Sequence, residues 1–524
     1  MISVWAWRTR KSSGQADSRV TYSYLLVTLL VANRLITVYS SNPLVLAVLE
    51  HARRRPSETA LSWRGRPVSY AELADMMGAA ASAVANLPSG PVGVVGEKTP
   101  ETVAVVLGCL AAGRRFLIPA PTLPVPTLSN LYTRADCVAI LSGSEGWRSN
   151  AARLTTHVVD VHAPARALPE ITPDEVSFML TTSGSTGTPK VVPLTVVAVE
   201  RFAQWADTEF GLGPGRRVLN YAPLNFDLCL LEVWATLRCG GCVVLVDPER
   251  ATNGAALADL VAGQEVHVVQ AVPMFYELLV HAASTPLGSV DRAVVTGDAF
   301  RPALLQTLRS VFPNARLTNV YGCTETNDSF SQDLHAGMDI VPIGTPLPGV
   351  HALLVGEDGA VVRGPGVGEL LVSTPFQTPG YLDSPDRYVP HPEGTDERRY
   401  FRSGDLVRRT ENGALVLDGR TDFRVKIRGQ QVNTQEVEQV LLDHPAVLEV
   451  AAMVAPDPVA GNRLHVVVRT DGTANSLVLR KHCAERLSPA AVPSKLRVTD
   501  DPLPRTATGK VDRKHITATL ELVN

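Results

Sequence analysis

The stretch TTSGSTGTPK, Thr181 to Lys190, holds ten residues and no large apolar side chain. It follows EVSFML, an apolar run that reads as a buried strand. Ser183, Ser185 and Thr186 offer hydroxyl donors, as does Thr182 at the strand end. Gly184 and Gly187 let backbone N–H groups turn toward one ligand, and Lys190 adds a full positive charge. Such a set at the end of a core strand suits a phosphate. The Walker pattern G-x-x-x-x-G-K-[ST] is missing here, and Gly509-Lys510 near the end of the chain is followed by valine. A plain polar loop is the competing reading of the same composition.

Other stretches carry matching chemistry. NVYGCTET, Asn319 to Thr326, ends a strand with an aromatic ring, a glycine, hydroxyls and a carboxylate. Tyr321 can stack on a flat base beside Gly322, Thr324 can donate to a phosphate, and Glu325 can hold a hard cation such as Mg2+. YFRSGDL places Asp405 in a turn, where its two oxygens can accept both hydroxyls of a ribose. DGRTD follows with Arg420, and PLPRTATGK ends in Lys510 on a glycine-flexed loop. The plain alternatives are a turn aspartate and a solvated tail lysine.

From Pro43 onward strand-like and helical runs alternate. PVGVVGE precedes Thr99-Pro100, a cap plus a proline at the first helical position, and then ETVAVVLGCLAA with helical spacing. VHVVQAVP, RAVVTGD and RLTNVYG are short β-rich runs ending in polar or glycine residues. The rhythm predicts an α/β fold with largely parallel sheets, whose ligands gather at the carboxyl ends of strands. Near residue 420 turn-rich β sequence (GALVLDGR) gives way to about 100 residues with their own alternation. There a helix opens at Asn433 with Glu436 three residues on, a capping-box arrangement, and Val437, Val440 and Leu441 share a face. The expected organisation is an extension over 1–41, a large domain over 42–421 and a small second domain over 422–524.

The 524 residues are 45% hydrophobic and 19% charged with a net charge of −3. That length predicts at least two domains, and the charge leaves no electrostatic footprint for nucleic acid or an acidic membrane. Seven cysteines, an odd number without a disulfide spacing, point to a reducing compartment and a cytoplasmic protein. Cys239-Gly240-Gly241-Cys242 has no second Cys/His pair at zinc spacing, so its glycines are expected to make a turn. The apolar run Tyr22 to Ala32 follows Arg8, Arg10 and Lys11 like a weak signal peptide. It is too short to span a bilayer and is expected to lie outside the fold.

Five ordered motifs, TSGSTGTPK, YGCTET, GELLV with PGYL, YFRSGDL through GRTDFRVKIRGQQV, and PRTATGKVDRK, resemble the adenylate-forming superfamily over roughly residues 43 to 520. The chain is most similar in kind to a stand-alone amino acid adenylation enzyme of the nonribosomal peptide synthetase type. The resemblance implies parallel-rich sheets with helices, a distorted barrel-like β part and a small mobile α+β C-terminal domain. It also implies two half-reactions. A carboxylate attacks the α-phosphate of ATP, giving an acyl-adenylate and pyrophosphate, and a phosphopantetheine thiol then takes the acyl group. Lys510 matches the family's mobile lysine between carboxylate and α-phosphate. Mg2+ on Glu325 and the loop Thr182 to Lys190 would meet the β- and γ-phosphates, and Asp422 matches the hinge.

By the same resemblance Asp227, in LNFDLCLLEVW, stands where amino-acid-activating members bind the substrate ammonium. Leu228, Leu231, Gln270, Val294, Thr296, Gly297, Val320, Asp328 and Ser329 would line the side-chain pocket. The two leucines and the glutamine fill space, so a small substrate is expected, alanine first and glycine or serine next. Asp328 fits this poorly: a second acid would meet a hydroxyl, a β-amino group or a side-chain amine, or lie exposed at the rim. Cys323 also replaces the proline of the peptide-synthetase pattern. No carrier domain is visible in the fourteen residues after Lys510, so a separate carrier protein or free coenzyme A is the expected acceptor. An acyl-CoA ligase of the same superfamily, or a nucleotide-binding protein without catalysis, is the alternative.

Overall fold

In a computed structural model the described residues are 25–31, 34–40, 42–144, 154–165, 175–182, 189–298, 300–382, 384–385, 387–421, 424–427, 430–457, 461–487, 491–505 and 511–521. The chain forms two compact units, residues 1–351 with 373–388, and 352–372 with 389–524.

The first unit holds two large sheets. In one, Lys190–Thr195, Val176–Thr182, Phe116–Leu117, Val92–Val94, Ala139–Ser142 and Thr156–Val158 lie in that order, parallel except for the edge strand Lys190–Thr195. In the other, six parallel strands run Arg316–Cys323, Arg292–Thr296, Val268–Ala271, Arg217–Asn220, Cys242–Leu245 and Thr59–Trp63. Antiparallel strands flank them, with Asn327–Asp333 and then Thr345–Pro346 on one side and Arg66–Ser69 on the other.

Alternation along the parallel strands decides what each face does. Leu219, Val244, Val269, Ala271, Ala293, Val295 and Leu317 belong to one buried apolar cluster with helix residues Leu257, Phe275 and Leu308. The residues between them, Gln270, Val294, Thr296 and Val320, therefore point to the opposite face.

Local signals read from the sequence operate as expected. Thr99 caps the helix Pro100–Ala111 by accepting from the Thr102 N–H. That helix lies against Tyr70–Ala85 so closely that a Cβ on Gly108 would sit 2.5 Å from the Ala80 Cβ, which explains the small-residue run GAAASA. Gly240 terminates its helix at φ 87, as the glycine pair required, and both flanking cysteines are free thiols.

Within the stretch 1–41, Leu25–Val31 and Arg34–Ser40 pair with each other as antiparallel strands. Both runs are rich in β-branched and aliphatic residues, which suits a strand as well as a leader.

The second unit has an antiparallel sheet curled as a half-barrel, which includes Gly366–Ser373, Tyr400–Arg409 and Leu415–Arg420. Asp405, expected in a turn, lies inside the strand Tyr400–Arg409 and is buried. The turn-like SGD is a local irregularity: Gly404 takes φ 78 and the pairing register shifts on both sides of it. Further on, Val447–Asp457, Gly461–Thr470 and Lys495–Thr499 form a sheet packed with the helices Thr434–Leu442 and Ser476–Ala484 around Val437, Leu441, Val466 and Leu479. The Asn433 side chain, half of the expected capping box, lies outside the described residues. Among the described residues no helix is long and apolar enough to cross a membrane.

Candidate active site

The strands Arg316–Cys323 and Asn327–Asp333 are joined by a tight turn, closed by the Thr326 N–H donating to the Cys323 carbonyl at 3.1 Å. Cys323 Sγ lies 3.2 Å from Thr326 Oγ1, so a thiol–hydroxyl contact braces the corner that lacks the proline. Asn327 takes φ 57, a left-handed conformation that asparagine tolerates. A Cβ at residue 322 would stand 2.4 Å from the Asn327 carbonyl oxygen, so Gly322 is required by this close approach. Tyr321 is half-buried and meets Phe330 edge-on with ring centroids 5.9 Å apart.

Glu325 is held at this turn from three directions. Its carboxylate accepts from the Tyr381 hydroxyl at 2.6 Å, and its backbone carbonyl accepts from the Thr378 N–H at 2.9 Å and the Tyr388 hydroxyl at 3.4 Å. Burial and the Glu325 carboxylate hold the Tyr381 phenol well above its ordinary range, so it stays a donor. The Lys190 ammonium sits 4.4 Å from the centre of the Tyr381 ring, a cation–π contact. Leu382 donates to the Val191 carbonyl at 3.1 Å, and Thr378 donates to the Pro193 carbonyl at 2.5 Å. Thus the PGYL segment links the strand Lys190–Thr195 to the Glu325 turn. Lys190 pairs directly with Thr182 across the hairpin. Ser183, Gly184, Ser185, Thr186 and Gly187 lie outside the described residues, as do Asp422 and Lys510.

The remaining pocket residues are distributed over neighbouring strands. Gln270 is in register with Val294, and Thr296 with Val320, on the face turned away from the helix-packed core. Gly297 follows at φ 82 and is exposed. Asp227 and Leu228 are half-buried on the stretch after Arg217–Asn220, and Leu231 is fully buried in the helix that follows. Ser329 is also fully buried, and its hydroxyl donates to the Asn327 carbonyl at 3.1 Å. Asp328 is not at an exposed rim: it is 9% exposed, and burial together with the Asp227 charge pushes its carboxyl up to about 8.

Two residues that hold the stretch carrying Asp227 escaped the motif reading. The Lys98 ammonium donates to the carbonyls of Asn220, Tyr221 and Ala222 at 3.0, 2.8 and 3.3 Å. Glu232, on the π-helix Leu230–Ala235, accepts from the Asn220 amide at 2.6 Å and the Ala222 N–H at 3.0 Å. Burial lifts the Glu232 carboxyl and lowers the Lys98 ammonium, and each charge opposes the other's shift. Together they pin both ends of the segment that carries Asp227. Only the π-helix, a frequent mark of functional sites, hints at the role, and it has no sequence signature. Glu232→Leu is expected to cost about 3–5 kcal/mol in urea unfolding, because Lys98 loses its buried counter-charge. A loss below about 1 kcal/mol would mean that the three carbonyls alone hold the ammonium.

In the second unit Asp405 and Arg420 are opposite each other, with Arg420 Nη1 donating to Asp405 Oδ1 at 2.5 Å. One carboxylate oxygen expected for a ribose is therefore shared with an arginine. The residues on either side of the segment that carries Lys510 are held in place. Arg505 and Val511 form an antiparallel bridge, Arg505 pairs with Glu449, and Arg513 pairs with Glu438 at 2.6 Å.

Hydroxyl and cationic groups on one sheet and acidic groups at the strand ends of another, in a chain with a second α+β unit, match a two-domain adenylate-forming architecture. The chain matches the AMP-binding enzyme family over residues 48–382 and the AMP-binding enzyme C-terminal domain over 436–510. It belongs to the AMP-binding enzymes, the family of AMP-forming ligases. It is 31% identical to an L-proline–[L-prolyl-carrier protein] ligase of Pseudomonas fluorescens, over 80% of this chain and 86% of that one. It is 32% identical to phenyloxazoline synthase MbtB of a Mycobacterium species over 90% of its own length, but spans 41% of that protein. A four-domain nonribosomal peptide synthetase solved with AMP and glycine shares the fold at TM-score 0.78 and 24% identity, covering 91% of this chain and 36% of that one.

Proposed function

We propose that the chain activates a small amino acid as aminoacyl-AMP and then loads it onto the phosphopantetheine thiol of a separate carrier protein. A carboxylate oxygen attacks the α-phosphorus of ATP, and the bond to pyrophosphate breaks. The thiol then attacks the acyl carbon, and AMP leaves with the former carboxylate oxygen. The observation that carries this reading is the linkage of Lys190, Tyr381 and Glu325, which ties the strand that would hold phosphate to a carboxylate in the same unit as Asp227. Relatives that load proline onto a carrier protein support it.

Among the described residues no three or more His, Cys, Asp or Glu side chains gather to hold a metal. Mg2+ takes one or two carboxylates and keeps phosphate oxygens and waters. Glu325, with the Thr324 hydroxyl beside it in the turn, is the donor. Bound magnesium would neutralise phosphate charge. Tyr321 stacks on the adenine, Asp405 takes a ribose hydroxyl, and Thr182 and Lys190 hold the phosphates. The segment 422–524 swings about Asp422, carrying Lys510 in and out. Asp227 binds the substrate ammonium, and the walls of Leu228, Leu231, Val294 and Val320 limit the side chain. By size alone L-alanine leads, with glycine and serine next.

ATP–pyrophosphate exchange over a panel of amino, fatty and aryl acids tests this reading. Exchange is expected with small amino acids only. Exchange with fatty or aryl acids instead would make the chain an acyl-CoA ligase, and exchange with none would leave a nucleotide-binding protein without catalysis.

A further inference from the structure

Size selects alanine, but the polarity of the pocket is not met by a methyl group. We propose, resting on the amino-acid reading above, that the substrate carries a second ammonium on a short side chain, received by the Asp328 carboxylate with Gln270 as a further acceptor.

Asp328 is 9% exposed, and among the described residues no donor reaches its carboxylate; its own backbone N–H is taken by Asn327 Oδ1 at 2.9 Å. Gln270 is 2% exposed, and its Oε1 also has no partner among the described residues. Gln270 stands on the face that carries Val294, Thr296 and Val320, away from the helix-packed core. Leaving the Gln270 oxygen buried and unpaired is costly, so the fold retains it at a net loss unless a ligand supplies a donor.

Charge narrows the ligand. Asp227 and Asp328 are close enough for the charge of one to act on the other. An amino acid with one ammonium neutralises Asp227 and leaves Asp328 against an apolar side chain. A second ammonium shifts the raised Asp328 carboxyl to its ionised form and pairs with it, and its three N–H donors can serve both Asp328 and Gln270, where a hydroxyl supplies one. The charge-assisted bonds so formed are the strong ones. With a short side chain expected from the reading above, 2,3-diaminopropionate and 2,4-diaminobutyrate are the candidates.

The test is exchange on the full chain with alanine, serine, 2,3-diaminopropionate and 2,4-diaminobutyrate, repeated on Asp328→Asn. A diamino acid is expected to exceed alanine and serine in kcat/KM by about tenfold or more, and Asp328→Asn to lower that preference at least about tenfold. Alanine or serine as the best substrate, or an unchanged preference in the variant, overturns the proposal. If the variant does not fold, the wild-type ranking decides alone. Exchange with no amino acid would overturn the functional reading itself, which the panel distinguishes from a wrong side chain.

Discussion

Lys510→Ala is expected to cut amino-acid-dependent pyrophosphate exchange by about a hundred- to a thousand-fold, the scale seen when one transition-state donor is removed. Negative charge builds on the α-phosphate as the carboxylate attacks, and a lysine between the two is needed most at that moment. The flanks of this residue are fixed by the Arg505–Val511 bridge and by the pairs of Arg505 with Glu449 and Arg513 with Glu438, so the substitution should leave its unit folded. ATP binding, and transfer from preformed aminoacyl-adenylate to the carrier thiol, should be largely retained. Equal loss of both half-reactions would contradict the assignment of Lys510 to the first.

Asp227→Asn should raise the KM for the amino acid by about thirty-fold or more, since truncating one member of a desolvated charge pair costs about 2–5 kcal/mol. The KM for ATP should hardly move. The substitution also removes a charge that raises the Asp328 carboxyl, so Asp328 should ionise at lower pH in the variant. A des-amino analogue such as propionate should lose its disadvantage relative to alanine. Exchange measured with alanine, serine and propionate on both proteins checks this, and an unchanged preference for the amino acids would remove Asp227 as the ammonium anchor.

What was legible in the sequence were short contiguous runs. The turn at Glu325, the Thr182–Lys190 hairpin and the alternation of parallel strands each lie within a dozen residues. What it hid were partnerships across long separations. Tyr381 stood inside the noted PGYL motif, yet its role depends on Glu325, 56 residues away. Lys98 acts on carbonyls more than 120 residues distant, and no periodicity announces that contact. Asp405 was misplaced for a different reason: serine, glycine and aspartate are turn formers, and the sheet overrides that preference with a local irregularity at Gly404. The run over 25–40 was ambiguous because an apolar β-branched segment suits both a leader and a hairpin.

The most direct test of the account follows oxygen. With an amino acid labelled with 18O in its carboxylate, ATP and the carrier protein, attack of that carboxylate on the α-phosphorus predicts one 18O atom in the AMP released on loading and none in pyrophosphate. Release of ADP and phosphate, or label appearing in phosphate or pyrophosphate with unlabelled AMP, would contradict adenylation as the reaction of this chain.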